Sequence, residues 1–397
     1  MTETGPIFLP KGFQFSSATA GIKASGKPDL ALILASPRTS AAALFTKNLV
    51  VAAPVEIGRR ALTQSRGHVR AVIVNAGNAN CATGSAGLRA CKSVCREAAR
   101  LLRIRAPQVF PSSTGIIGVP LPTEKINFHL PGLIAAAGSN ADHLRSFATT
   151  ILTTDTRPKL ASVPLRSGRA AITGVAKGSG MIHPQLATML VYMLTDVAAS
   201  AADLKASLRK ACADSFNTIS IDGDTSTNDT VLLLASGETG IRLGTIRKEF
   251  EAALFEVCRS LASQIVADGE GVQHVIHLHI EQARTRTHAL QLARTIAHSL
   301  LVKTAWAGAD PNWGRILAAV GRSGIKVDPR NVTILIGDQA VCRRGAACAF
   351  DEKRAHQELA KPECSVTVRL GAGKSSVQFF TTDLTSDYVR INADYST

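Results

Sequence analysis

The sequence predicts a mixed α/β (α+β) protein, and three observations carry that prediction. Short aliphatic, β-branched runs bounded by turn residues recur along the chain, and helical patterns with apolar residues three and four apart lie between them. Of the 397 residues, 45% are hydrophobic, enough to bury a large core, and the length favours two or three domains.

Taken in order, the strand-like runs are "DLALILAS" at 29–36, "RAVIVNAG" at 70–77, "TMLVYML" at 188–194, "DTVLLLASG" at 229–237, "NVTILIGD" at 331–338, "CSVTVRLG" at 364–371 and "SVQFFTTD" at 376–383. Helical periodicity is clearest over 86–102, 143–152, 202–215, 247–266 and 287–301. After Gly271 the pattern gives one strand and one long helix, then the loop "WAGADPNWGR" leading into a strand-rich C-terminal third. A smaller second domain is therefore expected from about Val275 onward. The Gly and Pro residues punctuate loops, and there is no repeat or low-complexity stretch.

The start, "MTETGPIFLPKGFQF", has Glu3, no basic cluster and no apolar stretch, so no export signal is expected. The apolar runs are too short for the roughly 20 residues that a bilayer requires. A soluble, cytoplasmic protein is the expectation. Eight cysteines lack any Cys-x-x-Cys pair or framework spacing, which favours reduced thiols. Cys91 and Cys95, four apart in "AGLRACKSVCREAARLLRI", share one helix face and read as core packing. In "HVIHLHI", His277 and His279 share a strand face opposite Ile276, Leu278 and Ile280, and read as a solvated face, with metal binding the lesser alternative. A formal charge of +15 invites nucleic acid, but the basic residues are spread and only three tyrosines and two tryptophans are available for stacking. No nucleic-acid or membrane partner is expected; a basic surface would equally draw in small carboxylates.

The stretch "KGSGMIHPQLATMLVYMLTDV" runs from Lys177 through a glycine-rich loop and a proline into an apolar strand, with Ala187 and Thr188 at the seam. It lacks the Gly-x-x-x-x-Gly-Lys-Ser/Thr order of a phosphate-binding loop. If the loop strains the Ala187–Thr188 peptide, the Thr188 hydroxyl can attack the Ala187 carbonyl, and water cleaves the resulting ester. The new α-amino group, with an ordinary pKa of about 7.7–8.0, would then be a base beside its own hydroxyl. From the residues alone, a plain loop-to-strand junction stays open beside this reading.

These and further blocks resemble the glutamate N-acetyltransferase (ornithine acetyltransferase) family of arginine biosynthesis, which matures by self-cleavage before a threonine. The resemblance runs over nearly the whole chain: "GIKASGKPDLALI", "AALFTKNLVVAAPV", "NAGNANCATG", "SSTGIIGVPLP", "TTDTRPK", "KGSGMIHPQLATML", "FNTISIDGDTSTNDT", "DGEG", "LVKTAWAGADPNWGRILAAVGRSG" and "DYVRINADYST". It implies a layered αββα main domain of the N-terminal-nucleophile type, an alpha chain 1–187 and a beta chain 188–397. Residues 188–274 would complete the main domain and 275–397 would form the smaller one. It also implies Thr188 as nucleophile, Thr114 and Gly115 as oxyanion hole, and substrate contacts at Thr154, Lys177, Thr188, Glu270, Asn392 and Thr397. Read without the family, "SSTG" is a turn, and an isolated Glu270 or Asn392 is a solvated side chain.

The implied reaction is ping-pong. N2-acetylornithine acetylates Thr188 and ornithine leaves; glutamate then takes the acetyl group as N-acetylglutamate. No metal and no tightly bound cofactor is implied, and two alpha and two beta chains are the usual assembly. Some members also accept acetyl-CoA, and no residue of this sequence decides that point. Gln185 and Leu186 replace the family's usual Asn and Met before the cut, Val272, Gln273 and His274 replace Ala, Thr and Lys, and Ala76 replaces a Ser. The rate of maturation and substrate affinity are what these departures touch. The rival reading is a self-processing N-terminal-nucleophile amidase or aminopeptidase, in which water replaces glutamate.

Overall fold

In the computed structural model, which describes residues 6–183 and 189–394, the chain forms three sheets and the helices that cover them. In order come β1 (Phe13–Ala18), β2 (Leu30–Ala35), β3 (Ser40–Phe45), α1 (Ala53–Gln64), β4 (Ala71–Asn78), α2 (Gly84–Leu102) and β5 (Val109–Ile116). Then follow α3 (Thr123–Ala135), α4 (Ala141–Thr150), β6 (Lys159–Leu165), β7 (Ala170–Lys177), β8 (Leu190–Thr195), α5 (Ala201–Ala213), β9 (Thr230–Ala235) and α6 (Arg247–Ala267). The remainder is β10 (Val275–Ala283), α7 (Arg286–Ala297), α8 (Leu300–Ala307), α9 (Trp313–Gly321), β11 (Thr333–Ile336), β12 (Gln339–Arg343), β13 (Ala346–Ala347), α10 (Glu352–Leu359), β14 (Glu363–Arg369), β15 (Ser375–Thr382) and α11 (Ser386–Asp394).

The first sheet has the order β1-β2-β4-β5 and the second β3-β9-β8-β7-β6. Their facing sides fill one core: Phe13, Phe15, Ile33, Val72 and Val74 meet Val175, Leu190, Tyr192, Leu194, Leu232 and Leu234. The outer face of the first sheet, through Leu30, Leu32 and Ile73, packs on α1, α2 and α3, where Cys91 and Cys95 are core residues. The outer face of the second, through Val191, Met193, Val231 and Leu233, packs on α5 and α6. The layers are thus helix, sheet, sheet, helix. Because successive side chains alternate between faces and both faces are buried, "LVYML" and "TVLLLA" read as unbroken apolar runs.

The third sheet, β13-β12-β11-β14-β10-β15, is covered by α7, α8, α9 and α10, with Ile276, Leu278, Ile280, Val366, Val368 and Phe379 facing helix residues such as Leu292, Ile296, Trp306 and Ile316. His277 stands 3.0 Å from Glu363 on the other, half-exposed side.

Several expectations need correction. The expected helix at 287–301 breaks after Ala297: Ser299 is extended (φ −79, ψ 109), and α8 starts at Leu300. "WAGADPNWGR" is the end of α8, a short turn and the start of α9, capped by Asn312 accepting from Arg315 N, and it leads into a helix before any strand. "SSTG" is not a turn; it is the end of β5. β7 escaped the strand pattern because its β-branched Ile172, Thr173 and Val175 are interrupted by Gly174 and flanked by alanines, which dilute the strand signal. Gly174 is there because a Cβ would lie 2.7 Å from Leu261 Cδ1 of α6 and from Met193 Sδ, so the helix seats directly on the strand. Among the described residues no helix is long and apolar enough to cross a membrane.

Candidate active site

The end of β5 meets the end of β4 in a parallel ladder whose register shifts at Asn78, which faces both Thr114 and Ile116. Only glycine permits this crossing. Gly115 has φ +132, and a Cβ on it would lie 2.3 Å from the Gly77 carbonyl carbon, backbone that cannot give way. Asn228 ties the crossing down: its Nδ2 donates to Ala79 O (2.7 Å) and Ser113 O (2.9 Å), while its Oδ1 accepts from Thr227 Oγ1 (2.5 Å). Thr114 and Gly115 thereby line a recess of ≈ 90 Å³, together with Thr153, Thr154, Lys177, Gly180, Glu270 and Asn392.

Lys177, the last residue of β7, is 3% exposed and donates to Thr153 Oγ1 (2.8 Å) and Thr114 Oγ1 (3.4 Å). A threonine hydroxyl that accepts from an ammonium keeps its own proton free to donate. Below Lys177 lies Asp155, 3.6 Å away, which also accepts from Lys159 Nζ (2.7 Å) and Gly178 N (2.6 Å). Burial alone would raise the Asp155 carboxyl, but Lys177 and Lys159 reverse this and hold it well below the usual carboxylate range. Lys159, fully buried, continues to Asp268 at 2.6 Å, so alternating charges anchor the floor of the cleft. Lys23 looks toward the same group; burial, then Lys177, lowers its ammonium to about 8 against the pull of Asp29.

Glu270 sits in the turn after α6, where its N–H donates to Ser179 O (2.9 Å). Its Oε2 accepts from Asn392 Nδ2 of α11 (2.8 Å), and Asn392 also reaches Tyr388 O (3.0 Å). Thr154 Oγ1 shares a hydrogen with Ser179 Oγ at 2.8 Å. Gly271 (φ +65) lets α11 come this close, since a Cβ there would lie 2.3 Å from Tyr388 N. The cleft therefore draws residues from β5, the 150s loop, β7, the turn after α6 and the last helix.

Ala187, Thr188 and Thr397 lie outside the described residues, as do Gln185 and Leu186. The stems on either side of the 184–188 stretch are described, and each is held by a carboxylate. Asp222 accepts from Met181 N (2.5 Å) and Ile182 N (2.9 Å); Asp229 accepts from Met189 N (2.9 Å). Burial raises Asp222 to about 6, against the three backbone N–H groups that favour its charge. Burial likewise raises Asp229 well above the ordinary range. Its second oxygen is buried without a hydrogen-bond partner among the described residues.

Sequence reasoning assigned no role to Asp155, Asp222, Asn228 or Asp229. The signal for the last three was present: "DGDTSTNDT", from Asp222, is a polar run between two apolar segments, which a core does not tolerate without hydrogen-bond work. Of the positions that depart from the family pattern, Gln273 N donates to Asp383 Oδ1 (3.2 Å) and His274 Nδ1 lies 2.8 Å from Lys361 O, so both face the third sheet and neither lines the cleft. Ala76 is buried within β4. Among the described residues no group of three His, Cys, Asp or Glu is placed to hold a metal ion.

Chemically, the cleft offers a hydroxyl donor and a glycine on one wall, a buried ammonium behind them, and a carboxylate–carboxamide pair opposite. The ArgJ family model matches residues 14–397. The chain is 42% identical over 393 residues to the arginine biosynthesis bifunctional protein ArgJ of Chlorobaculum tepidum, covering 98% of this chain and 96% of that one. It is 43% identical over 391 residues to the protein of the same name from Thermus thermophilus, covering 98% and 100%. A crystal structure of ornithine acetyltransferase complexed with ornithine, from Mycobacterium tuberculosis, is 34% identical over 46% of this chain and 95% of that one, with a TM-score of 0.43. With a full-length model match and full-length relatives above 40% identity, the chain belongs to the ArgJ family and is an acetyltransferase enzyme.

Proposed function

We propose that this enzyme moves an acetyl group from N2-acetylornithine to glutamate through an ester on Thr188, after cutting its own chain between Ala187 and Thr188. The reading rests on one observation above others: Thr114, Gly115, Thr154, Lys177, Glu270 and Asn392, far apart in sequence, line one recess beside the two stems of the 184–188 stretch. Thr188 attacks the acetyl carbonyl while its free α-amino group takes the hydroxyl proton. The developing alkoxide is met by the Thr114 hydroxyl and the Gly115 N–H, with the Lys177 charge behind them. Proton transfer from the amine to the leaving nitrogen releases ornithine, and glutamate attacks the ester by the reverse path.

Glu270, held by Asn392, suits the substrate's amine end, and the cationic side of the cleft suits carboxylates. Thr397 at the chain terminus closes over the same site in this reading. The product would be an alpha chain 1–187 and a beta chain 188–397, with 275–397 as a smaller domain, assembled as two of each. The relatives are named bifunctional; acetyl-CoA as a second donor is the matching inference here.

The test is direct. Wild-type protein should run as two polypeptides and release ornithine from N2-acetylornithine only when glutamate is present. Thr188→Ala should give one uncut, inactive chain. Release that is as fast without glutamate would transfer the case to the hydrolase, and full activity in an uncut chain would end the cleavage mechanism.

A further inference from the structure

A second recess, of ≈ 490 Å³, opens between α7 and α9 and is lined by Arg294, Arg322, His298, Gln291, Thr287 and Thr295, with Leu290 beside them. No carboxylate is among these residues. Arg294 Nε is buried and has no hydrogen-bond partner among the described residues. Burial, then its neighbour Arg286, lowers the Arg294 guanidinium. Arg286 is occupied elsewhere, with Asp214 and Ala213 O. The Arg322 guanidinium donates to Thr295 O at 3.3 Å, which uses one of its five N–H groups. Lys303, behind the recess, spends its ammonium on Thr382 O and Oγ1.

A guanidinium with a buried, unused N–H is costly to the fold unless an acceptor completes it. Here the Arg294 guanidinium on α7, the Arg322 guanidinium at the end of α9 and the Thr287 hydroxyl in the first turn of α7 converge from several directions. A planar carboxylate is satisfied by one guanidinium edge to edge; a tetrahedral oxyanion can accept from all of these at once. The volume lies within the roughly 300–1,000 Å³ of small-molecule pockets, which leaves room beside Leu290 for an organic portion. We propose that this recess binds a phosphate-bearing small molecule.

The site touches the loop that leads to the reaction cleft. Ser220 Oγ lies 2.9 Å from Ile182 O and 2.9 Å from His298 Nε2. A hydroxyl has one proton; with it given to the carbonyl, Ser220 accepts from His298 Nε2–H, which assigns the tautomer. The His298 ring also lies against His183, with centroids 4.8 Å apart and planes tilted by 37°. An occupant beside His298 is thus two hydrogen bonds from the Ile182 backbone.

Calorimetric titration of the mature enzyme, without substrates, with inorganic phosphate and with glycerol 3-phosphate tests the site independently of any turnover. One saturable site per chain is expected, with affinity falling about tenfold or more in Arg322→Gln and in Arg294→Gln. Arg242→Gln, on the exposed surface far along the chain, should bind as wild type. Arg322 is exposed, so its variant folds and decides the matter if Arg294→Gln does not. Absence of saturable binding, binding untouched by Arg322→Gln, or equal binding of acetate at matched ionic strength would each overturn the proposal.

Discussion

The carboxylates around the cleft show how burial and charge work against each other on a single residue. Asp155 is ionised despite complete burial because two ammonium groups face it. Its folded pKa is depressed, so it stabilises the fold above the ordinary carboxyl range and loses that contribution as pH falls through it. Asp222 has the opposite sign. Its folded pKa, about 6, lies above the unfolded value of roughly 3.9. Between those values the folded state binds the extra proton, so stability from this group is greatest at low pH and declines as pH rises to about 6. At about 1.4 kcal/mol for each pH unit, the change is on the order of 2–3 kcal/mol. Asp222→Asn should remove that slope. Urea unfolding of both proteins at pH 4.5 and pH 7.5 measures it, and identical pH dependence in wild type and variant would contradict the assignment.

At the scale of elements, the recess exists because β4 and β5 cross at their ends without side chains between them. Gly115→Ala places a methyl group against the backbone of Gly77 and Asn78. Strain at positive φ and overpacking together are expected to cost roughly 2–5 kcal/mol. Thermal melts should show the loss, and gels of the same samples should show impaired cutting. Gly180 is a useful contrast: the atoms nearest to a Cβ there belong to the Glu270 carboxylate, the movable end of a side chain. A Gly115→Ala protein with wild-type melting and cutting would mean the crossing is looser than its geometry implies.

For the whole molecule, sheet order decides what a cut can do. The second sheet interleaves β3, β7 and β6, from before residue 184, with β9 and β8, from after it. β7 pairs with β8 from Ile172↔Thr195 to Lys177↔Leu190, and β3 pairs with β9 from Ser40↔Ala235 to Phe45↔Thr230. Scission at 187–188 would leave every one of these ladders intact, since the two stems are already fixed to the sheet. The fragments are therefore expected to elute together in gel filtration without denaturant and to separate only in unfolding concentrations of urea. Separation of two folded fragments in native buffer would contradict the interleaved sheet.

The sequence by itself determined the strands that are apolar on both faces, the amphipathic helices and the polar run that lines the cleft, because burial on one or two sides writes a period into the residues. It did not mark out β7, where Gly174 and the alanines dilute the signal of Ile172, Thr173 and Val175, nor the break at Ser299, where the long apolar periodicity continues through a change of direction. Only the tertiary structure decided that Asp222 and Asp229 hold the two stems, that Asp155 lies under Lys177, and that Arg294 Nε is buried without an acceptor among the described residues. Those facts depend on groups distant along the chain meeting where water is absent. Hydrogen bonding and charge are strongest there, and local sequence carries no record of the meeting.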